Sequence, residues 1–312
     1  MSPMQNPNVP TPETISTMKV VERPLYGQWI GAAVFIVLAV GFVQVLATSR
    51  NLQWGVVAQY LFNPEILRGV GITILLTVLA MIIGLIIGVV LAVMRLSSSP
   101  ILQAASWGWI WFFRGVPPLV QLIFWFNLAL LFPRLSIGIP FGPQWLSWNT
   151  NDVISPFMAA MLGLAFTESA YAAEMIRAGI QAVNKGQTEA ASTLGMKRLQ
   201  TFRRIVLPQA LRIVIPPIGN DTISMLKFTS LVSVLAIPDL LFSAQVIYAR
   251  TYQTVPLLVV ASIWYLALTT VLTLAVHLVE DRLKDKPAKV FSRFFGRLFS
   301  FRFGTASNGA AA

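Results

Sequence analysis

Six long apolar segments follow one another along the chain and are separated by polar stretches. They comprise residues 29–47, 69–94, 107–132, 156–180, 212–242 and 255–279. A helix of roughly 20 apolar residues crosses the hydrocarbon core of a bilayer, so each segment predicts a membrane-spanning helix. The fifth contains Pro216 and Pro217 and the polar Asn220, Asp221 and Lys227, and we expect it to be broken or kinked there. The pattern predicts an all-α, polytopic helical bundle with six spans.

The composition excludes most soluble classes of protein. Hydrophobic residues make up 56% of the 312 residues and charged residues only 11%, and the mean hydropathy is +0.70. So few charges could not cover a soluble domain of this size. A soluble enzyme, a disordered protein and a coiled coil are excluded, and nucleic acid is not an expected partner despite a net charge of +11. Without cysteine and with one histidine, a thiolate or polyhistidine metal site is excluded as well.

The basic residues are distributed unevenly between the loops. If the amino terminus is cytoplasmic, the outer loops hold only Arg50, Arg68, Arg134 and Arg250, and most other Lys and Arg residues are cytoplasmic. Cytoplasmic loops are enriched in these residues, so both termini are predicted to be inside. The first apolar segment starts 28 residues into the chain and lacks a good cleavage site, so we expect an uncleaved anchor rather than a signal peptide.

The segments outside the spans are expected to be two tails and an interfacial loop. Residues 1–28 are rich in Pro, Asn, Ser and Thr and predict a disordered cytoplasmic tail. In residues 285–312, Arg and Phe interleave at helical spacing before a small polar end. That pattern predicts a basic amphipathic helix on the lipid of the inner leaflet, followed by disorder. The outer loop, residues 133–155, carries Trp145 and Trp148 and is expected to lie along the outer membrane interface.

The longest polar segment between spans, residues 181–211, has the features of a short helix rather than a formless linker. Thr188 is placed to cap a helix that begins at Glu189, and Gly195 is placed to end it. Pro208 lies where the first turn of the fifth span tolerates proline. A rigid lever between two spans is one interpretation of this segment, and a solvated loop helix without a partner is the other.

The same segment carries a spaced motif. It reads Glu189-Ala190-Ala191, then Gly195 after three residues, Ile205 after nine more, and Leu207-Pro208 after one more. This resembles the EAA loop of ABC importer permeases. The flanking stretches FFRGVP (112–117), AYAAEMIR (170–177) and PQALR (208–212) resemble the polar amino-acid uptake branch of that family. The resemblance covers residues 64–284, the expected permease domain, and leaves 29–47 as an extra amino-terminal span.

The resemblance implies a division of labour between subunits. Such permeases work in pairs, so a second copy or a paralogue is expected, and each EAA loop docks on an ABC ATPase dimer. ATP and Mg²⁺ then belong to the ATPase, with no cofactor on this chain, and an extracellular or periplasmic amino-acid-binding protein delivers the solute. The chain has no G-x-x-x-x-G-K-[ST] phosphate-binding loop and is not expected to be an enzyme. The implied coupling residues are Glu189, Ala190, Ala191, Gly195, Ile205, Leu207 and Pro208.

Polar residues inside the fourth and fifth apolar segments mark a candidate route for the solute. Charges within a bilayer are costly and usually face protein or a cavity. Helical spacing places polar residues of the two segments on one face each, and Glu168 could accept a solute ammonium while Lys227 could donate to its carboxylate. The alternatives are an internal ion pair that fixes helix packing and a carboxylate that lies near the membrane interface. The candidate pathway residues are Thr167, Glu168, Tyr171, Asn220, Ser224 and Lys227.

Two residues depart from the family pattern. Glu168 is an acid where a small or amide residue is expected, and we expect it to favour cationic amino acids such as arginine, lysine or histidine. Phe228 follows Lys227 where an acid is common, so an inherited Lys–Asp arrangement is not expected here.

The expected function is therefore that of a permease subunit of an ATP-driven importer of polar amino acids in a bacterial inner membrane. The alternative is a secondary transporter driven by an ion gradient, which predicts an internal repeat or two matching broken helices. One clearly broken span and no repeat are visible in the sequence.

Overall fold

The computed structural model describes residues 26–139 and 142–285. The predicted cytoplasmic tails, residues 1–28 and 285–312, fall almost entirely outside the described residues. Their predicted disorder and lipid contact stay predictions.

The described chain is mostly helical, and the helices are numbered here in chain order. They are α1 (Tyr26–Thr48), α2 (Trp54–Leu61), α3 (Pro64–Leu96), α4 (Pro100–Gly115), α5 (Pro118–Phe126), α6 (Leu128–Leu131), α7 (Thr150–Val153), α8 (Pro156–Gln181), α9 (Lys185–Thr193), α10 (Arg198–Thr201), α11 (Leu207–Phe228), α12 (Leu240–Thr251) and α13 (Thr254–Asp285). There are also 3₁₀ turns at Arg50–Leu52 and Thr229–Leu235, a π-helical turn at Phe202–Val206, and strands β1 (Arg134–Gly138) and β2 (Gln144–Asn149).

The chain divides into two compact units between Leu52 and Gln53. The first unit contains α1, whose stretch Ile30–Thr48 is long and apolar enough to cross a membrane. This helix is the extra span predicted at residues 29–47. The second unit contains α2 to α13 and with them the whole of the predicted permease domain.

Helices α3 and α8 approach each other closely because small residues line the contact. On α3, the buried Ala80, Gly84, Gly88 and Ala92 recur every four residues. A methyl group on Gly88 would lie 2.7 Å from the Cβ of Ala172 on α8, so the two backbones are nearly in contact. Within a membrane, helix association depends on such packing, because lipid is as apolar as the side chains. This pair therefore forms the centre of the bundle.

The third apolar segment, predicted as one span at 107–132, is broken. Helices α4 and α5 meet at an angle of 101° around Val116 and Pro117. Proline lacks an amide hydrogen, so the helix cannot continue through this point without losing hydrogen bonds. The buried Gln121 compensates, since its Nε2 donates to the carbonyl oxygens of Phe113 at 3.0 Å and of Val116 at 2.9 Å.

The fifth segment is bent, as the sequence predicted, but the bend does not lie at the prolines. Helix α11 runs unbroken through Pro216 and Pro217, and Nδ2 of Asn220 donates to the carbonyl oxygen of Pro216 at 3.3 Å. The bend of 44° lies further on, after the 3₁₀ turn that ends in the left-handed Ala236. Asp239 then starts α12 by accepting hydrogen bonds from two backbone amides of its first turn. The predicted break of this segment is confirmed, but it lies at Asp239, whose side chain caps the new helix, and not at Pro216 and Pro217.

Within the described residues, three single helices are long and apolar enough to span a membrane: α1, α3 and α13. The two bent pairs, α4 with α5 and α10–α11 with α12, raise this number to five. Helix α8, which corresponds to the fourth predicted span, is long enough at 26 residues, but its middle carries Thr167, Glu168 and Ser169. These three residues are buried among other helices, so α8 does not need an apolar surface there.

The outer loop at 133–155 contains a β-hairpin that the sequence pattern did not predict. Strands β1 and β2 pair antiparallel, with Arg134 opposite Asn149 and Leu135 opposite Trp148. The side chains of Trp145 and Trp148 are exposed. The predicted position of this loop along the outer interface stays a prediction.

Candidate functional site

The coupling loop is a short helix closed by defined caps at both ends. Helix α9 begins one turn earlier than predicted, because Oδ1 of Asn184, not Thr188, accepts from a first-turn amide, that of Gly186, at 2.8 Å. The Thr188 hydroxyl instead donates to the carbonyl oxygen of Lys185 at 2.7 Å. The other end follows the prediction, since Gly195 adopts the left-handed conformation with φ of 72°.

The face of α9 that points away from the rest of the loop is exposed and partly apolar. Glu189 and Ala190 are exposed, whereas Ala191 is only 1% exposed and points inward. Leu194 follows at the end of the helix with 81% of its surface exposed. A single exposed leucine is common on protein surfaces, and here its side chain is available for contact with another protein.

The base of the loop is packed firmly on the bundle. Val206 and Ala210 are buried against Val183, beside the last turns of α8. From α10 the chain continues through the π-helical turn into α11 without a gap. The motif residues Ile205, Leu207 and Pro208 lie half-buried in this junction. The helical path to α11 therefore begins at α10, and α9 joins it through the non-helical residues 194–197.

The candidate solute route centres on two carboxyl groups at one depth. Glu168 lies about 20 Å along α8 from Gln181, and Asp221 about 21 Å along α11 from Leu207, at 1.5 Å per residue. The ends at Gln181 and Leu207 both carry the coupling loop. The two carboxyls face each other across α8 and α11, close enough to interact. In the described part of the chain, Oε1 of Glu168 and Oδ2 of Asp221 are the buried side-chain atoms without a hydrogen-bond partner.

The remaining predicted pathway residues are divided between packed and open positions. Thr167 is buried, and its hydroxyl donates to Oε1 of Gln121 at 3.1 Å. Tyr171 is 38% exposed and carries the guanidinium of Arg114 over its ring, 5.1 Å from the ring centre. A cation in this position is attracted by the ring electrons.

On α11, the predicted polar face is the more accessible one. Asn220 and Lys227 are exposed and Ser224 is partly exposed. Lys227 forms no ion pair with any described residue, so the internal Glu168–Lys227 pair considered as an alternative is not formed. Glu168 meets Asp221 instead.

Two residues of this region were not assigned to the site from the sequence. Asp221 was recognised as an intramembrane charge, but only the packing of α8 on α11 shows that it faces Glu168. Gln121 is a lone amide in an apolar stretch, and that isolation was the available signal. Glu174, nearer the loop, is tied to Arg177 by an ion pair of 2.6 Å.

Comparison with known proteins agrees with this architecture. Residues 81–285 match the family described as the binding-protein-dependent transport system inner membrane component. The chain is 39% identical to the arginine transport system permease protein ArgU of Corynebacterium glutamicum, over 87% of this chain and 85% of that one. It is 34% identical to the histidine/lysine/arginine/ornithine transport system permease protein HisQ of Salmonella typhimurium, over 72% of this chain and 95% of that one.

Solved structures show the same fold. A crystal structure of an amino acid ABC transporter with histidines aligns with a TM-score of 0.63 and 34% identity, over 72% of this chain and 97% of that one. An inward-facing structure of the MetNI methionine ABC transporter aligns with a TM-score of 0.57 at 15% identity, over 76% and 99% of the two chains, which is a likeness of fold alone.

The chain is therefore a multi-pass membrane permease of an ABC importer, and it belongs to the binding-protein-dependent transport family. Within that family it belongs to the polar amino-acid branch, as the sequence motif predicted. The permease is not itself an enzyme, and ATP hydrolysis is the task of a separate subunit.

Proposed function

We propose that the chain imports polar amino acids across a bacterial inner membrane and is driven through its EAA loop by an ABC ATPase dimer. The observation that carries this proposal is the exposed face of α9, with Leu194 81% exposed beside Glu189 and Ala190. A short helix with small residues lets a partner surface come close, and burial of an exposed leucine stabilises that contact. ATP and Mg²⁺ belong to the partner in this proposal, and no cofactor belongs to this chain.

The connection between α9 and the solute route supports the proposal. The loop is rooted in the buried cluster of Val183, Val206 and Ala210, so it moves as a body rather than as a flexible tether. From that root, α11 leads directly to Asp221 and Ser224 in mid-membrane. ATP-driven movement of the loop therefore shifts one wall of the route against α8.

Three partners complete the proposed importer. They are the ATPase dimer, a second permease that is either another copy of this chain or a paralogue, and an amino-acid-binding protein on the outer side. The binding protein follows from the family to which the chain belongs. Nucleic acid has no part in it.

The proposal is tested by adding a charge beside the exposed face of α9, at Leu194, and separately on the side of α9 that lines the groove against the rest of the loop, at Ser192. Leu194→Asp is expected to reduce uptake by reconstituted importer at least about tenfold, because a loss of about 1.4 kcal/mol of contact energy corresponds to that factor. Ser192→Asp is the matched control. Ser192 lines the groove between α9 and the rest of the loop, and its hydroxyl donates only to the carbonyl oxygen of Thr188. Equal uptake by wild type and Leu194→Asp would contradict docking through this face.

We further propose that the importer prefers cationic amino acids. Glu168 and Asp221 each carry a buried side-chain oxygen without a hydrogen-bond partner among the described residues, and the relatives ArgU and HisQ are named for transport of arginine and of histidine, lysine, arginine and ornithine. Uptake of a labelled amino-acid panel by a strain lacking the chain, compared with its parent, tests this preference. Loss of uptake of arginine, lysine or histidine is expected, and loss confined to neutral or acidic amino acids would overturn it.

A further inference from the structure

Two carboxyl groups placed against each other in mid-membrane cannot satisfy one another as they stand. An ionised carboxylate only accepts hydrogen bonds, whereas a protonated one also donates. The buried Oε1 of Glu168 and Oδ2 of Asp221 accept no hydrogen bond from the described residues, although the two groups face each other. Two carboxyl groups side by side in a medium of low dielectric constant cannot both ionise, because their negative charges would repel. One proton must therefore be held between them.

The two carboxyls are not equivalent in position. Glu168 is 1% exposed and is enclosed by α3, where Gly84 lies against its side chain. Asp221 is partly exposed on α11, next to the exposed Asn220. An ionised group is far more costly in the enclosed position than in the accessible one. The proton therefore belongs on Glu168 and the negative charge on Asp221.

Among the described residues, Glu174 of α8 and Lys227 of α11 are the charged side chains nearest to the pair along these two helices, and neither forms an ion pair with it. On α8, Glu174 is already bonded to Arg177. On α11, Lys227 is exposed and lies six residues further along the helix. Helix α5 contributes the uncharged Gln121, whose amide groups are occupied by Thr167, Phe113 and Val116.

We infer that Asp221 is the specificity-determining carboxylate that contacts the cationic side chain of the solute, and that Glu168 is a positioning residue that donates its hydroxyl hydrogen to Asp221. This inference rests on the proposed cationic preference and deepens it, because it moves the contact from Glu168 to Asp221, the more exposed of the two side chains. The assignment makes opposite predictions for the two amide substitutions. Glu168→Gln retains a donor to Asp221, whereas Asp221→Asn removes the charge.

The experiment is equilibrium binding to the purified permease–ATPase complex without the binding protein. Labelled arginine is compared with citrulline, which has nearly the same shape but replaces the guanidinium with an uncharged ureido group. In the wild type, arginine is expected to bind at least about tenfold more tightly than citrulline, the scale of a hydrogen bond to a charged group. Asp221→Asn should abolish this preference and leave citrulline binding unchanged.

The variants of Glu168 separate positioning from direct contact. Glu168→Gln should bind arginine within about threefold of the wild type, whereas Glu168→Leu, which has no donor, should lose much of the preference. Asp221→Glu, which restores a carboxylate, should retain it, and Glu65→Gln on the exposed start of α3 controls for the loss of an acid elsewhere. Citrulline binding shows that each variant is folded.

Each contrary result overturns the inference in a recognisable way. If Glu168→Gln abolishes the preference and Asp221→Asn preserves it, Glu168 is itself the charged ligand. If both amide variants retain the preference, the pair is only structural. If the wild type does not distinguish arginine from citrulline, the proposed cationic preference fails first, and the inference fails with it.

Discussion

Gly84 of α3 lies directly against Glu168 of α8, so that a methyl group at position 84 would overlap the glutamate side chain. Only a hydrogen at position 84 leaves room for a glutamate on the facing helix. The close packing of α3 on α8 and the burial of the acid are thus two aspects of one contact. Disturbing this contact should change both the stability of the protein and the environment of the carboxyl pair.

Gly84→Val is predicted to destabilise the permease by about 1–3 kcal/mol, because overpacking forces the two helices apart or Glu168 out of its position. Thermal unfolding of the purified complex measures this effect. Gly71→Val is the matched control, since it lies on the same helix and no atom comes within 4 Å of the position of its added Cβ. Equal melting temperatures for the two variants would show that the contact is looser than described.

Gln121→Leu is predicted to be more damaging than Thr167→Val, although both remove the bond between these residues. The Gln121 side chain also serves the carbonyl oxygens of Phe113 and Val116 at the break between α4 and α5. The leucine variant leaves several polar groups unpaired and should cost about 1–3 kcal/mol, whereas a single hydrogen bond within a membrane averages about 0.6 kcal/mol. Chemical or thermal unfolding of the two variants ranks them, and the reverse order would contradict the role given to Gln121.

Asp239→Ala is predicted to loosen the outer end of the bundle. The buried carboxylate accepts from the amides of Leu241 at 3.2 Å and Phe242 at 2.9 Å, and from the Tyr265 hydroxyl at 3.2 Å. Loss of a helix cap costs about 0.5–2 kcal/mol. Limited proteolysis around α12 should become faster in this variant. Asp239→Asn keeps an acceptor and should be affected less, so equal proteolysis rates for both variants would count against the cap.

Much of the fold could be predicted because a lipid environment imposes strong demands on sequence. The lengths of α3 and α13 follow from apolar runs that begin and end within about six residues of the observed helices. Helix breaks were harder to locate. Helix α11 continues through Pro216 and Pro217, whereas the side chain of Asp239 caps a new helix further along the chain. The cap at Asn184 was missed for a similar reason, since Thr188 offered the same chemistry one turn later.

The candidate site could be predicted only in part. The spaced motif located the predicted coupling residues. Local backbone geometry favours particular residue types at such positions, as the left-handed conformation of Gly195 favours glycine. The interaction partner of Glu168 could not be predicted from a local pattern in this way. Whether it faces Lys227 or Asp221 depends on the rotation of α8 against α11, which no local pattern determines.

Gly195→Trp is predicted to uncouple the permease without preventing its insertion into the membrane. A residue with a side chain is strained at φ of 72°, by about 1–3 kcal/mol for a residue that is not glycine, and the indole adds bulk beside Leu194. Gly195→Asn is the matched control, because asparagine tolerates this conformation and is small. Uptake should be lost in the first variant and largely kept in the second, at equal amounts of protein in the membrane. Wild-type uptake by Gly195→Trp would contradict the coupling role.

The central claim, import driven by ATP through a separate subunit, is tested most directly in vesicles reconstituted with the permease, its ATPase and the binding protein. Accumulation of labelled arginine is measured with ATP and Mg²⁺ on the side of the coupling loop, and with a non-hydrolysable analogue in place of ATP. We predict accumulation against a gradient with ATP and none with the analogue, whatever ion gradient is imposed. Accumulation driven by a sodium or proton gradient in the absence of ATP would contradict the account and favour a secondary transporter.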